Sequence, residues 1–283
     1  EYSIEDEPPM PAPQASDRVR AIHDVAPAPQ GAYVLYWMIA ARRHAWSFSL
    51  DRAVDWARAL GKPLLVLEAL SCDYRWASDR LHRFVLDGMR DTEAGLSEMG
   101  VGYHPYLECA PGEGRGLLRR LAADASVVVT DRTQVHGLPS LVSAASRHVT
   151  VRFEEVDGHG ILPVDAPPAG AVFQAAYAFR RYLQRTLPQH LARRPRSRSA
   201  ARGDLPAAVE VPADVERRWP RVDRRLLQGE EGLSSVSIDH RVGPGPLRGG
   251  SAAGRQRLAA FIDTHFAGYD ENRNHPDEDA GSG

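Results

Sequence analysis

The chain has 283 residues, 43% of them hydrophobic and 25% charged, a balance that excludes an intrinsically disordered protein. A formal charge of −2 excludes the strong whole-molecule field that would announce a nucleic-acid partner. Cys72 and Cys109 form no CxxC pair, which excludes a disulfide framework and a zinc site and fits a reducing, cytoplasmic setting; no apolar run approaches the ~20 residues of a membrane span.

Charge is unevenly placed. Both ends are acidic and the middle is rich in arginine, with Lys62 the sole lysine. An all-arginine surface suits planar, bidentate recognition of phosphate. A compositional bias that writes Arg and Ala throughout explains the same count, so both readings stand.

Residues 1–30 are Pro-rich and polar, carry no signal peptide, and are expected to form a mobile leader. The opening on Glu1 rather than Met is read as a start that has been processed, trimmed or lost. From Gly31 the texture changes. AYVLYWMIA and PLLVLEAL (63–70) are short apolar runs of the kind expected for strands buried on both faces. Between them, Ser47 and Ser49 are N-cap candidates for a helix that Gly61 ends. Asp79–Met99 has helical spacing of Leu81, Phe84, Val85, Met89 and Leu96, with Gly100 as its stop. YHPYLEC, SVVVT (126–130) and VTVRFEEV (149–156) supply further strands, with helices at 117–123 and 138–147. This alternation predicts a doubly wound five-stranded parallel sheet over 31–166. Residues 167–213 are expected to hold a helix and a basic linker (193–204) with no core of its own. Residues 214–283 are expected to begin a helical unit and to stop before it is complete.

A doubly wound sheet binds ligands outside the C-terminal ends of its strands. That rim comprises residues 37–43, 68–76, 109–116 and 131–137. Neither a dinucleotide fingerprint nor a Walker A loop is present. The amides of Gly112–Gly116 could cradle a phosphate, although a flexible link is the commoner meaning of such a run. Trp37, Arg42, Arg43, His44 and Trp46 could hold a flat anionic ring by stacking and charge. The alternative has Trp46 in the core with the Arg and His residues in solvent. Asp131 is a candidate hydrogen-bond acceptor for a ligand or a helix cap, and His159 lies in a Gly turn. Arg193–Arg202 could contact nucleic-acid phosphates or stay a solvated linker. No catalytic residue and no metal site can be assembled, so the first domain is read as a binder.

The segments YVLYWM (33–38), ALGKPLLVLEAL (59–70), LHRFVLDGMRD (81–91) and VVVTDR (127–132) together resemble the N-terminal domain of the DNA photolyase/cryptochrome family, closest to class II deoxyribodipyrimidine photolyases. VDGHGILPVDAP (156–167) and AYAFRRYLQRTLP (176–188) match the run leaving that domain. IDHRVGPGPLRGG (238–250) and the stretch 260–283 resemble the start of its all-α FAD-binding domain. IAARRH departs from the polar Gln-Arg run that commonly follows YWM.

The resemblance implies a carbon–carbon lyase that uses reduced, light-excited FAD to split cyclobutane pyrimidine dimers flipped out of DNA. It implies damaged DNA as partner, a monomer, and a deazaflavin- or folate-type antenna chromophore, with Trp37, Arg42 and Arg43 as rim candidates. By matching positions it puts Tyr269 and Ser282 near the flavin phosphates, with Arg273 and Asn274 in the same motif, where a structural role is at least an equal reading. This chain alone is expected to be inactive and to retain no stoichiometric FAD. A cryptochrome-like photoreceptor and a stand-alone pigment- or nucleotide-binding module are the alternatives.

Overall fold

In chain order the elements are β1 (Val19–His23), β2 (Tyr33–Met38), α1 (Phe48–Leu60), β3 (Leu64–Leu70), α2 (Asp79–Met99), β4 (Gly102–Leu107), α3 (Leu117–Ala123), β5 (Ala125–Arg132), α4 (Leu138–Ser146), β6 (Arg152–Asp157), α5 (Ala176–Leu191), α6 (Ala213–Arg218), α7 (Arg224–Gln228), α8 (Ser251–Thr264) and α9 (Tyr269–Asn272). This computed structural model describes residues 13, 16–134, 137–168 and 170–275.

The strands form one sheet in the order β1-β6-β5-β2-β3-β4. β2 to β6 pair in parallel, as expected of a doubly wound sheet. Successive side chains point to opposite faces, and both faces are covered. On one, Val34, Tyr36, Val66, Val127 and Val129 meet Leu50, Val54 and Trp56 of α1 and Leu96 and Met99 of α2. On the other, Leu35, Trp37, Val128 and Phe153 meet Leu117 and Leu121 of α3 and Val142 of α4. Ser47 Oγ accepts from the Leu50 amide and caps α1, while Gly61 (φ 59°) closes it in the left-handed region that suits glycine.

A sixth strand joins the five. β1 runs antiparallel on β6, and it comes from the stretch expected to be a mobile leader. Val19 packs against the α1 face, and Arg20 Nε meets Glu155 Oε1 at 2.7 Å. Pairing covers what would otherwise be an open edge of β6.

The basic stretch 193–204 also differs from expectation, because it packs on α1. Ser199 and Ala200 are buried. The Arg196 amide donates to Asp51 Oδ2 (2.8 Å) and its guanidinium to Asp55 Oδ1 (2.7 Å), while Ser199 Oγ donates to Asp51 Oδ1 (2.7 Å). The partners are acids of a helix some 140 residues earlier, which no local reading of the linker reveals. The chain then crosses the far edge of the sheet. The Val222 amide donates to Pro105 O (2.8 Å) beside β4, and Trp219 Nε1 to Glu113 O (2.8 Å). Leu227, Leu233 and Val236 pack with Leu70, Leu86, Met89 and Leu107. α8 begins on α2, where the Ala252 amide donates to Asp91 Oδ2 (2.8 Å). Its apolar residues Leu258, Ile262 and the following Phe266 face solvent.

One ion network lies inside the sheet. Buried Glu154 accepts from Arg52 Nε (2.7 Å) and Nη2 (3.0 Å), Trp56 Nε1 (2.8 Å) and Arg152 Nε (2.8 Å). Burial alone would raise its pKa, but these donors outweigh burial and hold the carboxyl below its usual value. Replacing Glu154 by Ala is expected to cost about 3–5 kcal/mol in urea unfolding, because buried Arg52 loses this carboxylate. Since the folded pKa is depressed, the network's contribution is complete above the unfolded value of ~4.3 and is lost as pH falls through the folded one. The stability gap between the native chain and the variant should therefore close on acidification.

Candidate functional site

The strand order reverses between β2 and β5, so the loops leaving these strands part and frame the crevice where such sheets bind ligands. Asp131, at the end of β5, occupies its centre and is 1% exposed. Its carboxylate accepts the Tyr36 hydroxyl (2.7 Å) and the amides of Ile39 (3.0 Å), Ala40 (2.8 Å) and Ala41 (3.0 Å). Burial, with the nearby carboxylate, drives the Tyr36 phenol pKa well above its ordinary value. Asp131 therefore clamps the loop after β2. It is neither a free ligand acceptor nor a helix cap.

The clamp sets the course of the residues beyond it. Arg42 turns inward, donating to Glu68 Oε1 (3.0 Å) and Ala69 O (2.9 Å). Glu68 is buried and also accepts from the Tyr103 hydroxyl (2.7 Å). Burial raises the Glu68 pKa, with Arg42 opposing it. Arg43 Nε donates to Trp46 O (3.1 Å) at the surface. Trp37 is 6% exposed and packs among the α3 and α4 side chains. The three rim candidates are thus in three settings and form no shared pocket. The alternative arrangement is not found either: Trp46 is 44% exposed and Arg42 is tied inward.

Two further expectations change. The amides of Gly112 and Gly114 both donate to Glu108 Oε1 at 3.0 Å. The chain's own carboxylate sits where a phosphate was expected. His159 is exposed, and its amide closes a turn on Asp157 Oδ1 (3.0 Å), a structural role.

A cavity of about 260 Å³ opens at the ends of β5 and β6 beside α4, lined by Arg20, Arg132, Thr133, Gln134, Ser146 and Glu155 among others. Glu155 pairs with both Arg20 (2.7 Å) and Arg132 (3.0 Å), and Arg132 also bonds Asp165. With its charges matched, the cavity suits a small neutral polar molecule better than a phosphate. It is smaller than the ~300–1,000 Å³ of most ligand pockets. The rim expected from sequence includes its 131–134 wall, but the Arg20 wall lay in the supposed leader.

On the helical side, the Tyr269 ring is edge-on to Phe261 at 5.3 Å, and Arg273 lies 3.6 Å from Asp270. Ser282 lies outside the described residues. Among the described residues there is no metal-binding cluster, and no helix is long and apolar enough to cross a membrane. Replacing Asp131 by Ala should lower stability by about 3 kcal/mol, since charge-assisted bonds to buried donors are lost together. Hydrogen exchange should then quicken at Ile39–Ala41, and Asp131→Asn should restore part of the protection.

No protein-family model matches the chain. Two curated relatives do. One is a deoxyribodipyrimidine photo-lyase of Methanothermobacter thermautotrophicus, 31% identical over 150 residues, covering 53% of this chain and 33% of the relative. The other is the photo-lyase of the same description from Oryza sativa subsp. japonica, 28% identical over 230 residues, covering 77% of this chain and 42% of the relative. The chain thus matches about a third of the length of one relative and about two fifths of the other. Solved structures sharing the fold include a class III photolyase from Agrobacterium tumefaciens (TM-score 0.59, 18% identity, 92% of this chain and 50% of that one). A Synechocystis sp. PCC6803 cryptochrome is a second (TM-score 0.57, 16% identity, 86% and 49%).

Proposed function

We propose that this chain, related to the photolyase/cryptochrome family, is the α/β part and the beginning of the helical part of a light-driven, flavin-dependent DNA repair protein acting on cyclobutane pyrimidine dimers. The observation that carries this reading is the extent of the photo-lyase similarity: 230 residues and 77% of the chain, which runs beyond the α/β sheet alone. In this reading FAD supplies the photochemical electron when bound, damaged DNA is the substrate, and the protein works as a cytoplasmic monomer.

The chain's own part is structural. Asp131 fixes the rim, and Asp87 and Asp91 seat the start of α8 on α2 through the amides of Gly249 and Ala252. Of the residues proposed near the flavin phosphates, Tyr269 lies edge-on to Phe261, and the neighbouring Arg273 is beside Asp270. Trp37, Arg42 and Arg43 do not converge as an antenna pocket. No electron-transfer step is therefore assigned to these residues.

The test compares the 283-residue chain with the product of the complete reading frame that contains it. The longer product should retain stoichiometric flavin and clear dimers from an irradiated oligonucleotide in blue light but not in darkness; the chain alone should do neither. Flavin photoreduction without repair would instead indicate a cryptochrome-like photoreceptor. Tight pigment binding by the chain alone, with no flavin in either product, would indicate a stand-alone binding module.

A further inference from the structure

Between Asp165 and Asp204 the sequence holds eight arginines and no Asp or Glu, in a chain whose net charge is −2. The fold treats these arginines unequally, and Arg194 and Arg202 are exposed, with no carboxylate pairing with them among the described residues. Arg193 pairs with Asp17 (2.9 Å), Arg196 with Asp51 (3.1 Å) and Asp55 (2.7 Å), and Arg198 donates to backbone carbonyls. Arg180, Arg181 and Arg185 of α5 are exposed, and among the described residues no carboxylate pairs with them. In the stretch that looked like a phosphate contact in the sequence, α1 takes Arg196, Asp17 takes Arg193 and backbone carbonyls take Arg198, while the arginines of the helix before it have no such partner among the described residues.

Helical periodicity groups the free charges. At 100° per residue Tyr177, Arg180, Arg181, Gln184, Arg185 and Pro188 fall within one arc of about 140° on α5. Tyr177 is 67% exposed, and the Arg181 guanidinium lies 5.9 Å from its ring centroid. Opposite this arc, Phe179 and Tyr182 pack against Phe173 at 5.2 and 5.1 Å. Phe179 remains 41% exposed, so the two sides of α5 differ in charge more than in exposure. What α5 offers outward is three guanidiniums, an amide and an amphipathic ring, with no acid among them.

We infer that the outer arc of α5 is a docking surface for the phosphate backbone of nucleic acid. Guanidinium pairs phosphate oxygens bidentately, and Arg181 and Arg185 lie one turn apart on the same arc of the helix. Recognition of this kind reads charge and spacing, not sequence. The surface is separate from the strand-end rim, and the inference does not rest on flavin or on repair.

The experiment measures anisotropy of a labelled, undamaged duplex titrated with the 283-residue chain in darkness over a series of salt concentrations. The triple variant Arg180→Gln, Arg181→Gln, Arg185→Gln is compared with a charge-matched control, Arg75→Gln, Arg115→Gln, Arg217→Gln. Glutamine keeps helix propensity, and circular dichroism checks that both variants fold. The native chain should bind with a steep salt dependence. The α5 variant should lose roughly tenfold or more in affinity at low salt, and its log–log salt slope should fall by about 2–3, near 0.9 per phosphate contact. The control should stay within about twofold of the native chain. Equal losses in the two variants, no binding by the native chain, or α5-dependent binding to phosphatidylserine vesicles that duplex DNA does not displace would each overturn the inference. Because the assay uses undamaged DNA and no light, its failure leaves the repair reading untouched, and the reverse also holds.

Discussion

Asp131 is the constraint on which the strand-end rim depends. In an open parallel sheet the strand-order reversal leaves backbone amides exposed just where two loops diverge. Here a single carboxylate takes three of those amides and a tyrosine hydroxyl. Buried donors without an acceptor would be costly, so the loop after β2 has little freedom to choose another path. That path delivers Arg42 to Glu68 and leaves Arg43 and Trp46 outside. A crevice that is open by topology is thereby closed in the middle by chemistry, and a cavity lies beside Asp131 toward α4 and β1.

The legible parts of the fold were those with local signals. β2, β3 and β5 are buried along nearly their whole length, so they appear as apolar runs, and Ser47, Gly61 and Gly100 mark helix ends by their own side-chain and backbone chemistry. β1 was hidden because its five residues mix Arg20 and His23 with Val19 and Ile22 and stand between polar, Pro-bearing stretches. Only its partner β6 makes it a strand. The stretch 193–204 was hidden for a similar reason, since Asp51 and Asp55 neutralise Arg196 from far away in the chain.

The site was less legible than the fold. Residue type drew attention to Arg42 and Asp131, but their partners decide what they do. An arginine beside a tryptophan suggests stacking; an arginine within reach of a buried glutamate pairs with it, because leaving that glutamate alone costs far more than a surface cation–π contact provides. Gly112–Gly116 teaches the same point. A glycine-rich turn offers amides to any anion, and the nearest one was Glu108.

The buried acids also specify register. Glu68, Asp131 and Glu154 all lie on the α1–α2 face of the sheet, and each takes a bond from an aromatic hydroxyl or indole: Tyr103, Tyr36 and Trp56 respectively. A slip of one residue in β3, β5 or β6 would turn its acid toward α3, α4 and their apolar neighbours, away from these donors. Apolar residues alone would penalise such a slip weakly in a sheet buried on both sides, since Val and Leu fill either face. An unpaired carboxylate penalises it strongly. The acids raise the cost of wrong pairings more than they lower the energy of the right one, and the position of the whole rim follows from that choice of register.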